Sequence, residues 1–455
     1  VINIFDVKEN KEILTKVFSN FQRQYHVNMK MYMYYLGITD TGSSLNVSSS
    51  GSYDDIFVNE LSLDTEGAGT YSYVNDRYGN KRIDTNFIKK FIKEEVSYSV
   101  GNDITYTSHS GDEKIIDLLR LNTAHWKADH DANLAKNMLI YSTAYELYYI
   151  DKDAQFSSRV ISPRHGIAYT DNCDNVIFFL HIFRQPYDTK IYVDIYNDAE
   201  IIHCDEVFNE LGRTSHPFGE VPVGLAVVSE EGWLDTLYKD LKTLQDAFET
   251  NLSDISSEIT EFRNSYLVLN NLNLQDTDLA EMKRQGVMMT KGKDGSASWL
   301  IRQINDTFIQ NTLQTLEDKL YQISCHINSN EAPSSNTSSL AMRSRLISLE
   351  EKCKLNQKAL SNCIKTRIKM LLIYVNYLKK LNYDYRDINA KFTPNIPQDD
   401  IANATIVTAL GDKLSTETAL GLFSFIDNPQ NEVKKAQAEN KANSVGNTLL
   451  NGGGE

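Results

Sequence analysis

From Leu234 onward the apolar residues recur without a break: Leu234, Leu237, Leu241, Leu244, Phe248, Leu252, Ile255, Ile259, Phe262 and Tyr266, at steps of three and four. That spacing predicts one helix from Trp233 to Arg263, ~45 Å long at ~1.5 Å per residue, with a single sticky face. The other faces carry Glu230, Glu231, Asp235, Asp240, Asp246, Glu249, Asp254, Glu258 and Glu261, opposed by Lys239 and Lys242. A second helix repeats the pattern. Asn305 or Asp306 caps it, and Ile309, Leu313, Leu316, Leu320, Ile323 and Ile327 form its stripe. Between the two helices the apolar runs are short. Tyr266–Leu269, Val287–Met289 and Ser298–Ile301 read as strands, with Lys291-Gly292-Lys293-Asp294-Gly295 turning a hairpin between the last two. A third helix runs from Leu340 to about Leu381 and is basic, carrying Arg343, Arg345, Lys352, Lys354, Lys358, Lys365, Arg367, Lys369, Lys379 and Lys380.

Ahead of this block, residues 1 to about 36 show helical spacing, with Tyr25, Met29, Tyr32 and Leu36 on one face. A Ser-, Gly-, Asp- and Asn-rich stretch from Thr39 to Gly79 reads as a loop-like insertion. Ile83, Phe87, Phe91 and Val96 mark a helix closed near Gly101, and Ile104–Ser108 reads as a strand. Helices are expected over Glu113–Leu121 and Ala132–Tyr145. Strands follow in AYELYYID, SRVISP, NVIFFLHIFR and KIYVDIYN, split by turn-like Asp-Lys-Asp and Asp-Asn-Cys-Asp. Asn197–Gly232 holds further short strands. Beyond the basic helix come the strand DINAKFTPNIP and the helical STETALGLFSF. The tail NSVGNTLLNGGGE has the composition of a disordered segment. The fold class is α+β: a mixed body, an outgoing helix, a small β excursion, a returning helix, a loop at INSNEAPSSNTSSL and one very long helix. Two such helices, each with one apolar stripe, are awkward in a monomer and sensible when copies pack in a ring.

Composition sharpens this. The 455 residues carry a net charge of −15, from 46 basic and 61 acidic side chains, which argues against a basic surface for sequence-independent DNA binding. No run approaches the ~20 apolar residues of a membrane span, and no signal peptide is visible at Val1–Asp6. The cysteines Cys173, Cys204, Cys325, Cys353 and Cys363 have no CxxC spacing and read as free thiols, the last two facing the core. GVMMTKGKD lacks the spacing and the Ser or Thr of a Walker A loop, so no nucleotide-driven motor is read in this chain. His125, Asp129, His130 and Asp131 form a compact group, the basis of a rival reading as a metal-dependent nuclease or other enzyme. However, histidines five apart diverge on a helix. A third reading, a monomeric coiled-coil scaffold, conflicts with the β excursion.

Three blocks then point to one family. NKRIDTNFIKKFIKEEVSYSVGNDITYTS carries Asn80, Ile83, Asn86, Phe87, Tyr98, Gly101, Ile104, Thr105 and Tyr106 in an "N-x-I-x-x-N-F … Y-x-x-G-x-x-I-T-Y" pattern. AYELYYIDKDAQFSSRVISP follows an "A-Y-E … D … I-S-P" pattern. HPFGEVPV leads into the first long helix and SYLVL, where Ser265 departs from "A-Y-L-V-L". In this order, from about residue 80 to 435 and with FTPNIPQDD and STETALGL following, they resemble the portal (head–tail connector) proteins of tailed bacteriophages, siphophage type. The Thr39–Gly79 insertion lies outside that pattern.

The resemblance implies a portal fold with a wing at 1–229 and 340–396, stem helices at 230–262 and 305–327, a clip at 263–304, a tunnel loop at 328–339, and a short crown with tail at 397–455. It implies a ring of twelve copies at one capsid vertex, through which double-stranded DNA is packaged and ejected without sequence readout. The implied partners are the terminase large subunit and a head–tail adaptor docking at the clip, with major capsid and scaffold proteins around the ring. It implies no enzyme activity, cofactor, metal or membrane. The setting is the virion, after assembly in the host cytoplasm. The channel wall would be Asp235, Asp240, Asp246, Glu249, Asp254, Glu258 and Glu261, repelling rather than gripping DNA. DNA contact would fall to Asn328, Ser329, Asn330, Glu331, Ser334, Ser335, Asn336, Thr337 and Ser338, and docking to Lys283, Arg284, Lys291, Lys293, Asp294 and Trp299. The bases of the long helix would pair with acidic surfaces of neighbouring copies.

Overall fold

Local sequence chemistry sets where each helix starts and stops. A computed structural model describes residues 6–40, 82–188, 190–262, 266–270, 296–300, 306–328, 339–393, 400–423, 432–433 and 435–440. Helix α1, Lys11–Leu36, buries Leu14, Val17, Phe18, Phe21, Tyr25, Met31 and Tyr34 along one face. It ends at Gly37, whose φ of +85° closes the last turn on the Met33 and Tyr34 carbonyls. A Cβ at Gly37 would lie 2.6 Å from Asn86 Nδ2, so both backbone and neighbour demand glycine. Helix α2 is Phe87–Val100, strand β1 is Thr105–Ser108 and helix α3 is Glu113–Thr123, with Asp112 capping it through the Lys114 N–H.

Helix α4 spans His130–Tyr141, ending four residues before the expected Tyr145, and Ser142 (φ 62°) turns the chain into strand β2, Thr143–Ile150. The reason is the period. Tyr145 and Leu147 face one cluster while Ala144 and Tyr148 face another, an alternation of two that only a strand provides. Strand β2 sits between β3, Phe156–Ile161, and β9, Val223–Val227, both antiparallel to it.

A second sheet is a five-stranded meander in chain order: β4 Gly166–Thr170, β5 Val176–Arg184, β6 Ile191–Tyr196, β7 Glu200–Asp205 and β8 Glu210–Ser215. Strand β5 reads as a continuous apolar run because both its faces are covered. Phe178, Leu180 and Ile182 pack under the first half of α1, and Phe179 faces Tyr145, Leu147 and Tyr196. Three hairpins share one turn. Asp151, Asp171 and Asp205 each accept, through Oδ1, the N–H groups two and four residues on, at 2.7 to 3.1 Å. The fourth residue of each turn, Ala154, Asp174 or Phe208, is left-handed at φ 56° to 62°.

After a 3-10 turn at Gly232–Leu234 comes α5, Leu237–Phe262. Trp233 and Leu234 therefore precede the helix and are exposed, correcting the expected start. Strand β10, Tyr266–Asn270, pairs antiparallel with β11, Ser296–Leu300, with Tyr266 opposite Leu300. Strand β11 thus pairs with β10, and the expected hairpin strand Val287–Met289 lies outside the described residues. Helix α6, Asp306–Ser324, returns and packs on α5. Helix α7, Ser339–Lys379, buries Leu360, Ile364, Ile368 and Leu371 in the largest cluster. After it β12, Ile388–Lys391, closes on β1.

The chain divides into two units, 1–332 with 346–393, and 333–345 with 394–455. The second contains α8, Asp400–Leu410, a 3-10 turn at Gly411–Lys413, and α9, Thr416–Leu420, capped by Ser415 accepting the Thr418 N–H. Among the described residues no helix is long and apolar enough to cross a membrane.

Candidate functional site

The acids expected to line a channel fall into different environments. Asp235, Asp240 and Asp254 are exposed, and Glu258 is half-buried. Glu261 lies in the last turn of α5. Asp246 is tied up: Lys242 Nζ sits 2.6 Å from it and 2.8 Å from Asp40, and the Tyr34 hydroxyl donates to it at 2.7 Å. Burial opposes the charge on Lys242, but its bonds to Asp246 and Asp40 win and raise its pKa.

Glu249 corrects the expectation outright, since its exposure is 0%. Gln245, Glu249 and Ser253, spaced four apart, form a polar ridge beside the apolar stripe of α5. The extended segment before α2 lies along this ridge. Thr85 donates its N–H and its hydroxyl to Glu249 Oε1, each at 2.8 Å, and Gln245 Nε2 donates to the same oxygen at 3.0 Å. Thr39 donates to Oε2 from the end of α1. Ser253 Oγ accepts the Ile83 N–H at 2.9 Å, and the Thr85 carbonyl accepts from Gln245 at 3.0 Å. The buried arc of α5 is thus wider than its apolar stripe. Acids that read as one charged face belong to two surfaces.

A second buried acid, Glu146, sits on the core-facing side of β2. Arg367 from α7 donates Nε to Oε1 at 2.9 Å. His130 Nε2 lies 2.8 Å from the same oxygen, and Ser158 donates to it at 2.9 Å. Tyr148 donates to Oε2 at 3.0 Å, and Cys363 Sγ reaches it at 3.4 Å. Arg367 also donates to Asp131 at 2.6 Å and to the Tyr106 hydroxyl at 3.4 Å, and it lies 5.2 Å from the Trp126 ring centre. Burial pushes the Glu146 carboxyl up, but the Arg367 guanidinium and His130 outweigh it and hold it at about 2. Gly224, opposite Glu146 on β9, leaves room for this cage: a Cβ there would clash with the Tyr148 hydroxyl and lie 2.8 Å from Cys363 Sγ.

This cage absorbs the histidine group singled out in the sequence. His130 and Asp131 serve Glu146 and Arg367, while His125 Nε2 lies 3.0 Å from Ser157 Oγ and Asp129 accepts from Asn133. Among the described residues no group of His, Cys, Asp and Glu is arranged to hold a metal. Part of the basic helix also finds partners within its own chain: Arg367 here, Lys369 with Glu220 at 2.5 Å, and Lys352 with Glu95 at 2.8 Å. Lys358, Lys365, Lys379 and Lys380 are exposed.

Of the expected loop residues, Asn328 donates to Glu317 at 3.3 Å. Ser329, Asn330, Glu331, Ser334, Ser335, Asn336, Thr337 and Ser338 lie outside the described residues. So do Lys283, Arg284, Lys291, Lys293 and Asp294 of the expected clip, whose Trp299 stands opposite Leu267 in the β10–β11 pair.

The model of the phage portal protein family, SPP1 Gp6-like, matches residues 14–445. The portal protein of Bacillus phage SPP1 is 22% identical over 419 residues, covering 84% of this chain and 81% of that protein. Two solved structures overlay with a TM-score of 0.46. One is described as the virion of a native gene transfer agent particle (10% identical, 74% of this chain, 88% of that one). The other is the neck of an empty gene transfer agent particle computed with C6 symmetry (9%, 80% and 92%). A match over nearly the whole length, on an α+β body with a paired-helix excursion, decides the matter: the chain belongs to the phage portal protein family of the SPP1 Gp6-like type.

Proposed function

We propose that this chain is the portal of a tailed-phage head, a structural ring at one capsid vertex that forms the channel for genome packaging and ejection. The observation that carries this is the family match across residues 14–445. The β10–β11 pair between α5 and α6 supports reading these helices as the stem and the excursion as the clip. In that arrangement the exposed Asp235, Asp240 and Asp254 face the channel, while Asp246 and Glu249 serve the subunit's own fold. A negative wall suits passage, because a duplex carrying one charge per ~1.7 Å finds no counter-charges to grip it. Contacts from the 328–339 loop would meet the backbone and read no sequence. A terminase and a head–tail adaptor dock at the clip, and the ring assembles with capsid and scaffold proteins in the host cytoplasm.

The test is charge reversal at Asp240 and Asp254 in a packaging assay. Slowed or stalled DNA uptake by correctly assembled rings is expected. Uptake at the normal rate would remove the electrostatic argument and leave the family membership standing.

A further inference from the structure

A third acid with no exposure, Glu95 on α2, marks the place where the returning stem helix meets the long helix. Asn356 of α7 donates to Oε2 at 2.7 Å, and Lys352, one turn earlier, places Nζ 2.8 Å from Oε1. On the other side lies the end of α6. Lys352 also donates to the Ser324 carbonyl, the last residue of α6, at 3.3 Å. There Cys325 turns left-handed at φ 66°, and the chain leads into His326. The buried His326 ring stacks on Phe91 at 4.4 Å. Its Nδ1 is 2.8 Å from the Ser324 carbonyl and its Nε2 is 3.2 Å from the Phe91 carbonyl and 3.8 Å from Glu95 Oε1. Lys90, one turn before Glu94, donates to the Tyr321 hydroxyl at 2.8 Å. A single turn and a half of α2, Lys90 to Glu95, therefore holds the end of α6 and the turn of α7 at Lys352–Asn356 together.

We propose that Glu95 is the positioning residue of this joint: one buried carboxylate sets the end of α6 against α7, and its loss lets the two move independently. Lys352 also crosses directly to the Ser324 carbonyl, and Glu95 is the group that holds that lysine in place. The α6 side contributes backbone carbonyls and a ring, and the α7 side contributes Lys352 and Asn356. A carboxylate accepts from Asn356 and answers the Lys352 charge while lying beside the ring. Burial, with Lys352 and Lys90 nearby, holds His326 at about 3, so the ring is neutral and Lys352 is the cation that faces Glu95. Removing the Glu95 charge takes away the ion pair that fixes Lys352 and the acceptor of Asn356, which loosens the joint first and the distant sheets last. The name of the joint, stem to wing, rests on the portal reading; its mechanics do not.

Hydrogen exchange on the full-length chain tests this. In Glu95→Gln, amides of 321–328 and 346–356 are expected to exchange ~10-fold faster or more, while those of β2, β5 and β9 keep their protection. If Glu95→Gln gives no folded protein, Lys352→Gln removes the same ion pair from a partly exposed position, and the same local pattern is expected. Unchanged exchange in the two stretches, or a rise spread equally over β2, β5 and β9, would overturn the proposal. Since exchange is read on the chain itself, its failure is separable from failure of the portal reading, which shows in ring assembly and DNA uptake.

Discussion

Glu146 and Glu249 are both sealed from solvent, yet different kinds of partner are seen around them. Around Glu146 the answer is charge: Arg367 and His130 on one oxygen, with Asp131 sharing the guanidinium. Around Glu249 the hydrogen bonds described come from three separate stretches, at Thr39, Thr85 and Gln245. The first arrangement fastens α7 to the sheet and to α4. The second fastens helix α5 to the end of α1 and the start of α2. A charge cage tolerates little loss, because removing one member leaves the others buried and unanswered. A cradle of several neutral donors spreads the load, each bond contributing about 1 kcal/mol net.

The largest effect should come from breaking the cage at its cation. Arg367→Met leaves Glu146 and Asp131 facing one another and should cost ~3–5 kcal/mol, read as the urea midpoint of unfolding. Acid sharpens the contrast. The Glu146 carboxyl, ordinarily at 4.5, is held at about 2. A depressed carboxyl contributes stability that is complete above its ordinary value and lost as pH falls through the folded one. The wild-type chain should therefore weaken between pH 4.5 and about 2, and Glu146→Gln should flatten that slope. Next in size is Gly224→Ala, whose methyl enters the space of the Tyr148 hydroxyl and Cys363, for ~1–3 kcal/mol by thermal unfolding. Glu249→Gln keeps one acceptor oxygen and should cost less than Arg367→Met, ~1–2 kcal/mol by the same measurement. Smallest is Asp254→Lys, which should change stability by no more than ~0.5 kcal/mol, because the side chain is exposed. An equal cost for Arg367→Met and Glu249→Gln would erase the distinction between cage and cradle.

Much of the scaffold was legible from spacing. The stripes of α5 and α6, the apolar run of β5 and the helix that begins at Glu113 all follow from local rules, and each stands close to where the pattern placed it. The β2 boundary was missed because a helix period and an alternating run overlap at Tyr141–Tyr145, and there the strand period governs. The three buried acids were harder. A helical wheel shows which residues share a face but not which flank another segment covers, so Glu249 read as one more solvent-facing acid. Its signal was the Gln245–Glu249–Ser253 ridge at spacing four. Glu146 was more visible, as an acid on the buried side of an apolar strand. Arg367, 221 residues away, could not be named as its partner from local pattern. The histidine group resembles a ligand set by its proximity along the chain, but histidines five apart diverge, and the fold sends His125 and His130 to different neighbours.

All these anchors serve one claim, that the chain is a rigid subunit of a portal ring. Electron microscopy of the purified full-length chain, with rotational symmetry analysis of end-on views, tests that claim most directly. The account predicts closed rings with a central hole. A chain that remains a compact monomer at micromolar concentration, with no ring in any view, would contradict it.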